Sequence, residues 1–323
     1  MQQPQSIPAA SRNPRDRRQF LEGSLAAGLA LALPSAGAHA AEAAADLKSL
    51  AIDAHVHVWT PDTEAYPLAA GFRRDEMKPA SFTPEELFRH ARPAGVGRVV
   101  LIQMSFYGFD NRYMLDMLAQ HPGVFSAVAV IDDSAADPAS EMSRMAGLGA
   151  RGFRIYPRNA PPDRWLEGPG MQAMWRAGAK QNLAMCCLVN PEALPAIDAA
   201  CAQHPETPVV IDHFARIGID GTIRDAEIAQ LCRLARHPRT AVKVSAFYAL
   251  GRKQPPYHDL LPMTRRLLDA FGPERLMWAS DCPFQVVDQP YAASIALVRD
   301  GMQLSPGDRD WLLRRTAERV FFG

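Results

Sequence analysis

The sequence predicts a single-domain α/β fold, a (β/α)₈ TIM barrel, and three observations indicate it. Short apolar or β-branched runs alternate with longer segments of helical period. Eight such runs follow residue 50, and a helical segment follows each of them. No tract rich in Pro, Gly or Ser divides this part of the chain, and one barrel of this kind occupies about 250 residues.

The predicted elements follow one another in strict alternation along the chain. The strands are predicted over 51–55, 98–103, 125–131, 152–156, 184–189, 208–212, 241–245 and 276–280. The helices are predicted over 84–91, 112–121, 138–147, 171–181, 191–203, 226–237, 260–271 and 306–321. Pro84, Pro191 and Pro306 stand at helix starts, where the missing N–H costs nothing. The connections 58–83 and 157–170 are longer than bare barrel loops, so we expect them to cover the mouth of the barrel.

Residues 1–40 have the three parts of an export signal, and residues 41–323 form the predicted barrel domain. A basic stretch contains Arg17-Arg18-Gln19-Phe20-Leu21, an apolar stretch covers 25–33, and Ala38-His39-Ala40 has the small-x-small pattern of a cleavage site. The paired arginines resemble the twin-arginine class of bacterial signals, although Asp16 stands where Ser or Thr is usual. We therefore expect cleavage near Ala40 and a periplasmic protein exported by the twin-arginine machinery. The alternative is an uncleaved amphipathic N-terminal anchor.

Composition excludes several classes of protein. The chain has 35 Lys+Arg and 35 Asp+Glu, whereas nucleic-acid-binding proteins carry a basic excess. Without residues 1–40 the balance is 31 basic to 33 acidic residues, a net charge of −2. The five cysteines are an odd number without a CxxC pair, which argues against a disulfide framework. No stretch approaches eighteen consecutive apolar residues, so no stable membrane span is predicted.

Four polar residues follow predicted strands. His55 and His57 end strand one, His213 follows strand six and Asp281 follows strand eight. Residues i and i+2 of a strand point to the same side, and the carboxyl ends of all barrel strands share one mouth. The four side chains should therefore form one site. Imidazole and carboxylate are the ligands of a catalytic zinc, but the same groups can bind water and a substrate oxyanion without metal.

Several longer motifs occur in order along the chain. They are IDAHVHVW at 52–59, QMSFYGFDN at 103–111, GARGFR at 149–154, VIDH at 210–213, VKVS at 242–245 and WASDCP at 278–283. In these motifs the chain resembles the amidohydrolase superfamily, in its amidohydrolase-related branch (amidohydrolase 2). That branch contains lactonases of sugar acids and of aromatic breakdown products, of the L-fuconolactonase and 2-pyrone-4,6-dicarboxylate lactonase type.

The resemblance implies roles for the four residues. Asp281 would be the general base that takes a proton from the attacking water. His55, His57 and His213 would bind one divalent metal ion together with Asp281, zinc foremost, or polarise the lactone carbonyl without metal. A carboxylate can accept the proton of water, and cationic or metal-bound neighbours stabilise the oxyanion that forms. A second, bridged metal is not expected, because strand four offers Arg154 and Tyr156 in place of a bridging ligand.

Further polar residues are candidates for binding the substrate. Arg154 lies inside an apolar strand, where an unpaired guanidinium would be costly. It either pairs with an acid such as Asp132 or Asp133, or clamps a substrate carboxylate. The remaining candidate contacts each follow a strand, and loop packing is the alternative for the three tyrosines; they are Tyr107, Tyr156, Asn190 and Tyr248. Arg216 and Arg252 could also serve an anionic substrate.

These features predict a hydrolase that opens a lactone, an anionic small molecule, by water attack. A metal-dependent nonoxidative decarboxylase of an aromatic or unsaturated acid is one alternative, and an exported solute-binding barrel without catalysis is another. Cys282 should face away from Asp281 and act in packing. Many relatives read Trp-Pro-His after the aspartate of strand eight, whereas this chain reads Cys282-Pro283-Phe284. The identity of the lactone therefore does not follow from the resemblance.

Overall fold

The structure is a computed structural model that describes residue 47, residues 49–158 and residues 160–323. The predicted export signal, residues 1–40, lies outside the described residues. Eight strands are present: β1 Ala51–Val56, β2 Val96–Ile102, β3 Phe125–Ala129, β4 Ala150–Ile155, β5 Ala184–Cys187, β6 Val209–Ile211, β7 Thr240–Ser245 and β8 Leu276–Ala279. Each begins and ends within two residues of a predicted strand.

The strands form one parallel barrel in chain order. The sheet runs from β1 to β8 with every neighbour parallel. A parallel bridge between Val56 and Cys282 brings the end of β8 back to β1. There the Asp281 N–H donates to the His55 carbonyl at 3.0 Å and the His57 N–H donates to the Cys282 carbonyl at 2.8 Å. The predicted single-domain TIM barrel is confirmed.

Helices follow the strands on the outside of the barrel. The α-helices are α1 Pro84–Ala91, α2 Arg112–Gln120, α3 Pro138–Gly147, α4 Pro169–Gln181, α5 Leu194–Gln203, α6 Asp225–Arg233, α7 Leu261–Phe271, α8 Phe284–Asp288, α9 Tyr291–Ala296, α10 Pro306–Asp310 and α11 Thr316–Phe321. Two π-helical segments, Leu297–Gly301 and Trp311–Arg315, continue α9 and join α10 to α11. Short 3-10 turns lie at Arg74–Glu76, Arg92–Ala94, Ser105–Tyr107, Pro191–Ala193, His213–Arg216, Leu234–Arg236, Phe247–Ala249, His258–Leu260 and Pro273–Arg275.

Local chemistry explains where a helix such as α1 begins. Pro84 occupies its first turn, where no N–H is needed. The Thr83 side chain accepts from the Glu86 N–H, and the Glu86 carboxylate accepts from the Thr83 N–H at 2.6 Å. This capping box satisfies two donors that the helix itself cannot pair.

The barrel has an apolar interior that is closed at its amino-terminal end. Ile52, Val100 and Met277 are fully or almost fully buried within this interior cluster, and Phe321 of α11 belongs to it. The Ser126 hydroxyl donates to the Phe321 carbonyl at 2.6 Å, which ties the last helix to the barrel floor. The open end is therefore the carboxyl end of the strands, where the predicted site residues lie.

Strand β1 carries an irregularity that decides which side chains enter the barrel. Its register with β2 shifts between Asp53 and Val56. Ala54 belongs to the interior cluster and Val56 to the outer core between strands and helices. A bulge adds one residue and redirects the side chains beyond it. Consequently Asp53 and His55 point in different directions although they are two residues apart.

No helix within the described ranges combines the length and the apolar character that crossing a membrane requires.

Candidate active site

A cavity of about 310 Å³ opens at the carboxyl ends of the strands. Its polar lining comes from strand ends that are far apart in sequence: His57, Ser105, Arg154, His213, Arg216, Tyr248 and Asp281. Apolar side chains such as Leu188, Ile219 and Phe284 complete the wall. A mostly apolar pocket with a few convergent polar groups is the usual form of a small-molecule site.

The four residues predicted to share a site do lie together. The Nε2 atoms of His55 and His57 are 3.3 Å apart, and each is 3.5 Å from Asp281 Oδ1. His213 Nε2 lies 3.8 Å from Asp281 Oδ2. All four side chains are buried. His55 has no exposed surface and lies behind the cavity wall, whereas the other three line the cavity.

Hydrogen bonds orient the two histidines that line the cavity. His57 Nδ1 is 2.9 Å from the Ile102 carbonyl oxygen. A carbonyl only accepts, so Nδ1 carries the ring proton and Nε2 offers a lone pair toward Asp281. His213 Nδ1 lies 2.8 Å from the Ser245 hydroxyl, which itself donates to the Lys243 carbonyl at 3.4 Å. The His213 Nε2 lone pair therefore also faces the carboxylate.

The backbone adopts the left-handed conformation after β6 and after β8, as it also does at Ala246 after β7. Asp281 has φ of 62°, and the four consecutive residues from His213 to Arg216 have φ between 50° and 58°. For side chains other than glycine this conformation costs about 1–3 kcal/mol and is concentrated at functional sites. These turns aim the carboxylate and the imidazole into the cavity.

Burial and charge together set the ionisation of the site. Burial alone would raise the pKa of Asp281, but the neighbouring histidines, His213 foremost, outweigh it and hold this pKa below its usual value. Burial lowers the pKa of His55 and of His213. Near neutral pH Asp281 is therefore ionised beside the neutral imidazoles of His55 and His213, and an ionised carboxylate has a free lone pair to accept a proton from water.

Tyr248 contacts the carboxylate directly. Its hydroxyl donates to Asp281 Oδ2 at 2.7 Å. Burial and the charge of Asp281 raise the pKa of Tyr248, so the phenol remains protonated and remains a donor. Tyr248 also lines the cavity, so it can touch both the carboxylate and a bound molecule.

Arg154 reaches the cavity without an acidic partner. Its Nε is buried and has no hydrogen-bond partner among the described residues. Asp132 and Asp133, the acids named as alternative partners from the sequence, instead face Arg158, whose Nη1 lies 3.9 and 3.0 Å from their carboxylates. The pairing alternative for Arg154 is therefore wrong, and its guanidinium is available to a ligand.

The other three candidate contacts lie outside the cavity lining. The Tyr107 hydroxyl accepts from the Thr60 N–H at 3.3 Å. The Tyr156 ring lies 5.8 Å from the Arg158 guanidinium carbon. The Asn190 amide donates to Glu192 at 3.1 Å. These contacts match the loop-packing alternative, and no described residue of segments 58–83 and 157–170 lines the cavity either.

Sequence reasoning missed a buried ion pair beneath the histidines. Lys243 Nζ lies 3.0 Å from Asp212 Oδ1 and 3.2 Å from His55 Nδ1. Lys243 and Asp212 have no exposed surface. A signal was available: Ala241, Lys243 and Ser245 alternate along an apolar strand, so all three face the barrel interior.

Asp53 and Cys282 face away from the cavity. The Asp53 carboxylate accepts from the Ser280 N–H at 2.8 Å, the Tyr291 hydroxyl at 2.6 Å and the Ser280 hydroxyl. Burial raises the pKa of Asp53 to about 6. Cys282 is fully buried in the outer core, and burial raises the pKa of its thiol. Both residues hold the β1–β8 junction in place.

The donor set fits one divalent cation. One candidate ligand atom from each of His55, His213 and Asp281 lies within 4.8 Å of the other two, and all three residues are buried. Two imidazoles and a carboxylate, with room for water, form a typical catalytic zinc donor set.

Comparisons with known proteins agree with the barrel fold. A family model described as amidohydrolase matches residues 52–323. An L-fucono-1,5-lactonase of Burkholderia ambifaria is 29% identical over 238 residues, 72% of this chain and 80% of that protein. A 2-pyrone-4,6-dicarboxylate hydrolase of Comamonas testosteroni is 28% identical over 244 residues, 72% of this chain and 76% of that protein. The crystal structure of an amidohydrolase from Burkholderia multivorans, with bound zinc, has a TM-score of 0.72 at 23% identity, over 84% of this chain and 98% of that chain.

Proposed function

Because the chain belongs to the amidohydrolase family, we propose that it hydrolyses a lactone by attack of water, with Asp281 as the general base. The observation that carries this proposal is the buried Asp281 carboxylate, 3.5 Å from both His55 Nε2 and His57 Nε2, at the wall of the cavity. Two relatives that share 29% and 28% of their aligned residues with this chain are named for lactone hydrolysis.

The reaction needs one proton acceptor and a stabilised oxyanion. Water adds to the lactone carbonyl carbon while Asp281 accepts one of its protons. The ring C–O bond then breaks, and the proton passes from Asp281 to the departing ring oxygen, which leaves a hydroxy acid. His57 and His213 line the same wall as Asp281, so they are placed to stabilise the charge that develops on the carbonyl oxygen.

A divalent cation, where bound, would be held by His55, His213 and Asp281, with His57 as a neighbouring imidazole. Such an ion lowers the pKa of bound water and polarises a carbonyl. We propose zinc as the preferred ion, since nitrogen donors with one carboxylate suit it. Asp281 and Tyr248 hold each other in position without a metal, because the Tyr248 hydroxyl donates to Asp281 Oδ2 at 2.7 Å.

The substrate is proposed to be an anionic lactone. Arg154 and Arg216 both line the cavity, and a planar guanidinium matches the two oxygens of a carboxylate. The barrel without residues 1–40 carries a net charge of −2. Attraction of an anion must therefore come from local arginines at the mouth.

The test is an assay of the purified protein on matched pairs of lactones. Each pair has one member with a carboxylate and one without, drawn from sugar-acid lactones and pyrone or muconolactone compounds. Ring opening releases one proton per turnover from the acid product and no carbon dioxide. Turnover with proton release supports the proposal, and carbon dioxide release from an aromatic acid would identify a decarboxylase instead. Metal content and activity after chelation are measured on the same preparation.

Export is a separate proposal that the sequence motif supports. Arg17-Arg18 followed by Gln19-Phe20-Leu21 has the twin-arginine pattern, so the barrel would fold before export to the periplasm. Replacing both arginines by lysine should leave the full-length chain in the cytoplasm during cell fractionation. Unchanged periplasmic recovery of the double variant would contradict this route.

A further inference from the structure

Lys243 forms a buried contact with a histidine of the site. Its Nζ lies 3.2 Å from His55 Nδ1 and 3.0 Å from Asp212 Oδ1, and all three side chains are fully buried. Neither Lys243 nor Asp212 lines the cavity, so the pair acts on the site through its neighbours, and His55 is the site histidine whose ring Lys243 contacts.

The contact fixes where the His55 ring carries its proton. An amine that pairs with a buried carboxylate at 3.0 Å is an ammonium, which has donors only. Its neighbour at 3.2 Å, His55 Nδ1, must therefore accept. A ring whose Nδ1 accepts a hydrogen bond carries its proton on Nε2.

The other side of the ring agrees with this tautomer. His55 Nε2 is 3.3 Å from His57 Nε2 and 3.5 Å from Asp281 Oδ1. His57 Nε2 is a lone pair, because His57 Nδ1 donates to the Ile102 carbonyl. Both neighbours of His55 Nε2 are thus acceptors. Lys243 Nζ therefore donates to His55 Nδ1, His55 Nε2 donates to His57 Nε2, and His57 Nδ1 donates to the Ile102 carbonyl.

A metal ion would require the opposite tautomer. His55 Nε2 can bind a cation only through a free lone pair. The ring proton must then lie on Nδ1, the nitrogen that the Lys243 ammonium contacts. The acceptor for that proton is at hand, because Asp212 Oδ1 is 3.5 Å from Nδ1. Neither Asp212 oxygen has a hydrogen bond of good geometry among the described residues. A carboxylate behind a ligating histidine is the usual arrangement at metal sites.

We propose that Lys243 is a positioning residue that holds His55 in its Nε2–H tautomer and thereby weakens divalent-cation binding at the site. His55 then donates toward Asp281 and His57 and does not ligate. The inference deepens the proposed function, on which it rests for the role of Asp281, by favouring catalysis without a tightly bound metal. Without Lys243, Asp212 would accept from Nδ1 and His55 would become a ligand.

One test determines the tautomer of His55 in the unaltered full chain. Histidine-selective ¹⁵N labelling and long-range ¹H–¹⁵N spectra distinguish protonated from bare ring nitrogens, and a His55→Gln variant assigns the signals. We expect a protonated Nε2 and a bare Nδ1 at His55. A protonated Nδ1 in the metal-free protein would overturn the proposal, and this test does not depend on how any Lys243 variant folds.

A second test measures affinity for Zn²⁺ by competition with a chromophoric chelator. Lys243→Met should bind Zn²⁺ about ten- to a hundredfold more tightly than the unaltered chain, the range by which partners behind a ligand change metal affinity. Lys180→Met, which removes an exposed lysine, should leave the affinity unchanged. Equal affinity of the folded Lys243→Met variant and the unaltered chain would overturn the proposal. Neither test uses a lactone, so failure of the proposed function would show separately, as absent turnover.

Discussion

Replacing Arg154 by methionine should have opposite effects on catalysis and on stability. Arg154 belongs to β4, lines the cavity, and has a buried Nε without a partner among the described residues. Asp132 and Asp133, which follow β3, face Arg158 instead. The described residues therefore give Arg154 Nε no hydrogen bond that methionine would lose, and the role proposed for the guanidinium is to bind a ligand.

The size of both effects follows from these contacts. A hydrogen bond to a charged group contributes about 1.5–3 kcal/mol, and about 1.4 kcal/mol is a factor of ten. Loss of the Arg154 contact should lower kcat/KM for a carboxylated lactone by about ten- to 150-fold. A buried donor left unsatisfied costs about 1–3 kcal/mol, so Arg154→Met should raise the free energy of unfolding by up to that amount.

The assay compares kcat/KM for a carboxylated lactone with that for its uncharged analogue, alongside urea denaturation of each protein. Arg252→Met is the matched control, because Arg252 is exposed on the loop after β7 and does not line the cavity. We expect kcat/KM to fall only in the Arg154→Met variant, and there only for the carboxylated lactone. An equal fall in kcat/KM on both lactones, or a lower free energy of unfolding for Arg154→Met, would refute this role of Arg154.

Three further predictions concern the surroundings of the carboxylate. Tyr248→Phe removes the 2.7 Å hydrogen bond to Asp281; kcat should fall about tenfold, and the acidic limb of the pH–rate profile should move to higher pH because that bond favours the ionised carboxylate. The pKa of Asp53 rises from 3.8 to about 6 on burial, so the stability it contributes is complete below pH 3.8 and is lost as the pH rises through about 6. The free-energy difference between the unaltered chain and Asp53→Asn should therefore shrink by about 2 kcal/mol from pH 4 to 7, whereas a constant difference would contradict the assignment. Cys282→Ala should keep its turnover, since the thiol is fully buried with a raised pKa; inactivation by iodoacetamide would argue otherwise.

The barrel could be predicted because its signals are local. Apolar runs of strand length and proline at helix starts act within a few residues, and all eight strands were recovered from them. The site predicted from His55, His57, His213 and Asp281 followed from one topological rule, that parallel strands end at one mouth. The structure brings these four side chains together.

What the sequence could not show depends on register and on contacts between distant strands. The irregularity of β1 after Asp53 turns that carboxylate toward Ser280 and Tyr291, and strict alternation cannot reveal it. The pairing of Lys243 with Asp212 joins β7 to the end of β6. Tyr107 and Asn190 follow strands as expected, but loop packing directs them away from the cavity.

The central claim is that Asp281 takes a proton from the water that opens the lactone. The most direct measurement is kcat for Asp281→Asn on a lactone that the unaltered protein hydrolyses, with Asp163→Asn, an exposed position, as the control. A positioned general base contributes about 10²- to 10⁴-fold, so kcat should fall by that factor while the control stays at the level of the unaltered protein. A correctly folded Asp281→Asn protein that retains its turnover would contradict the account.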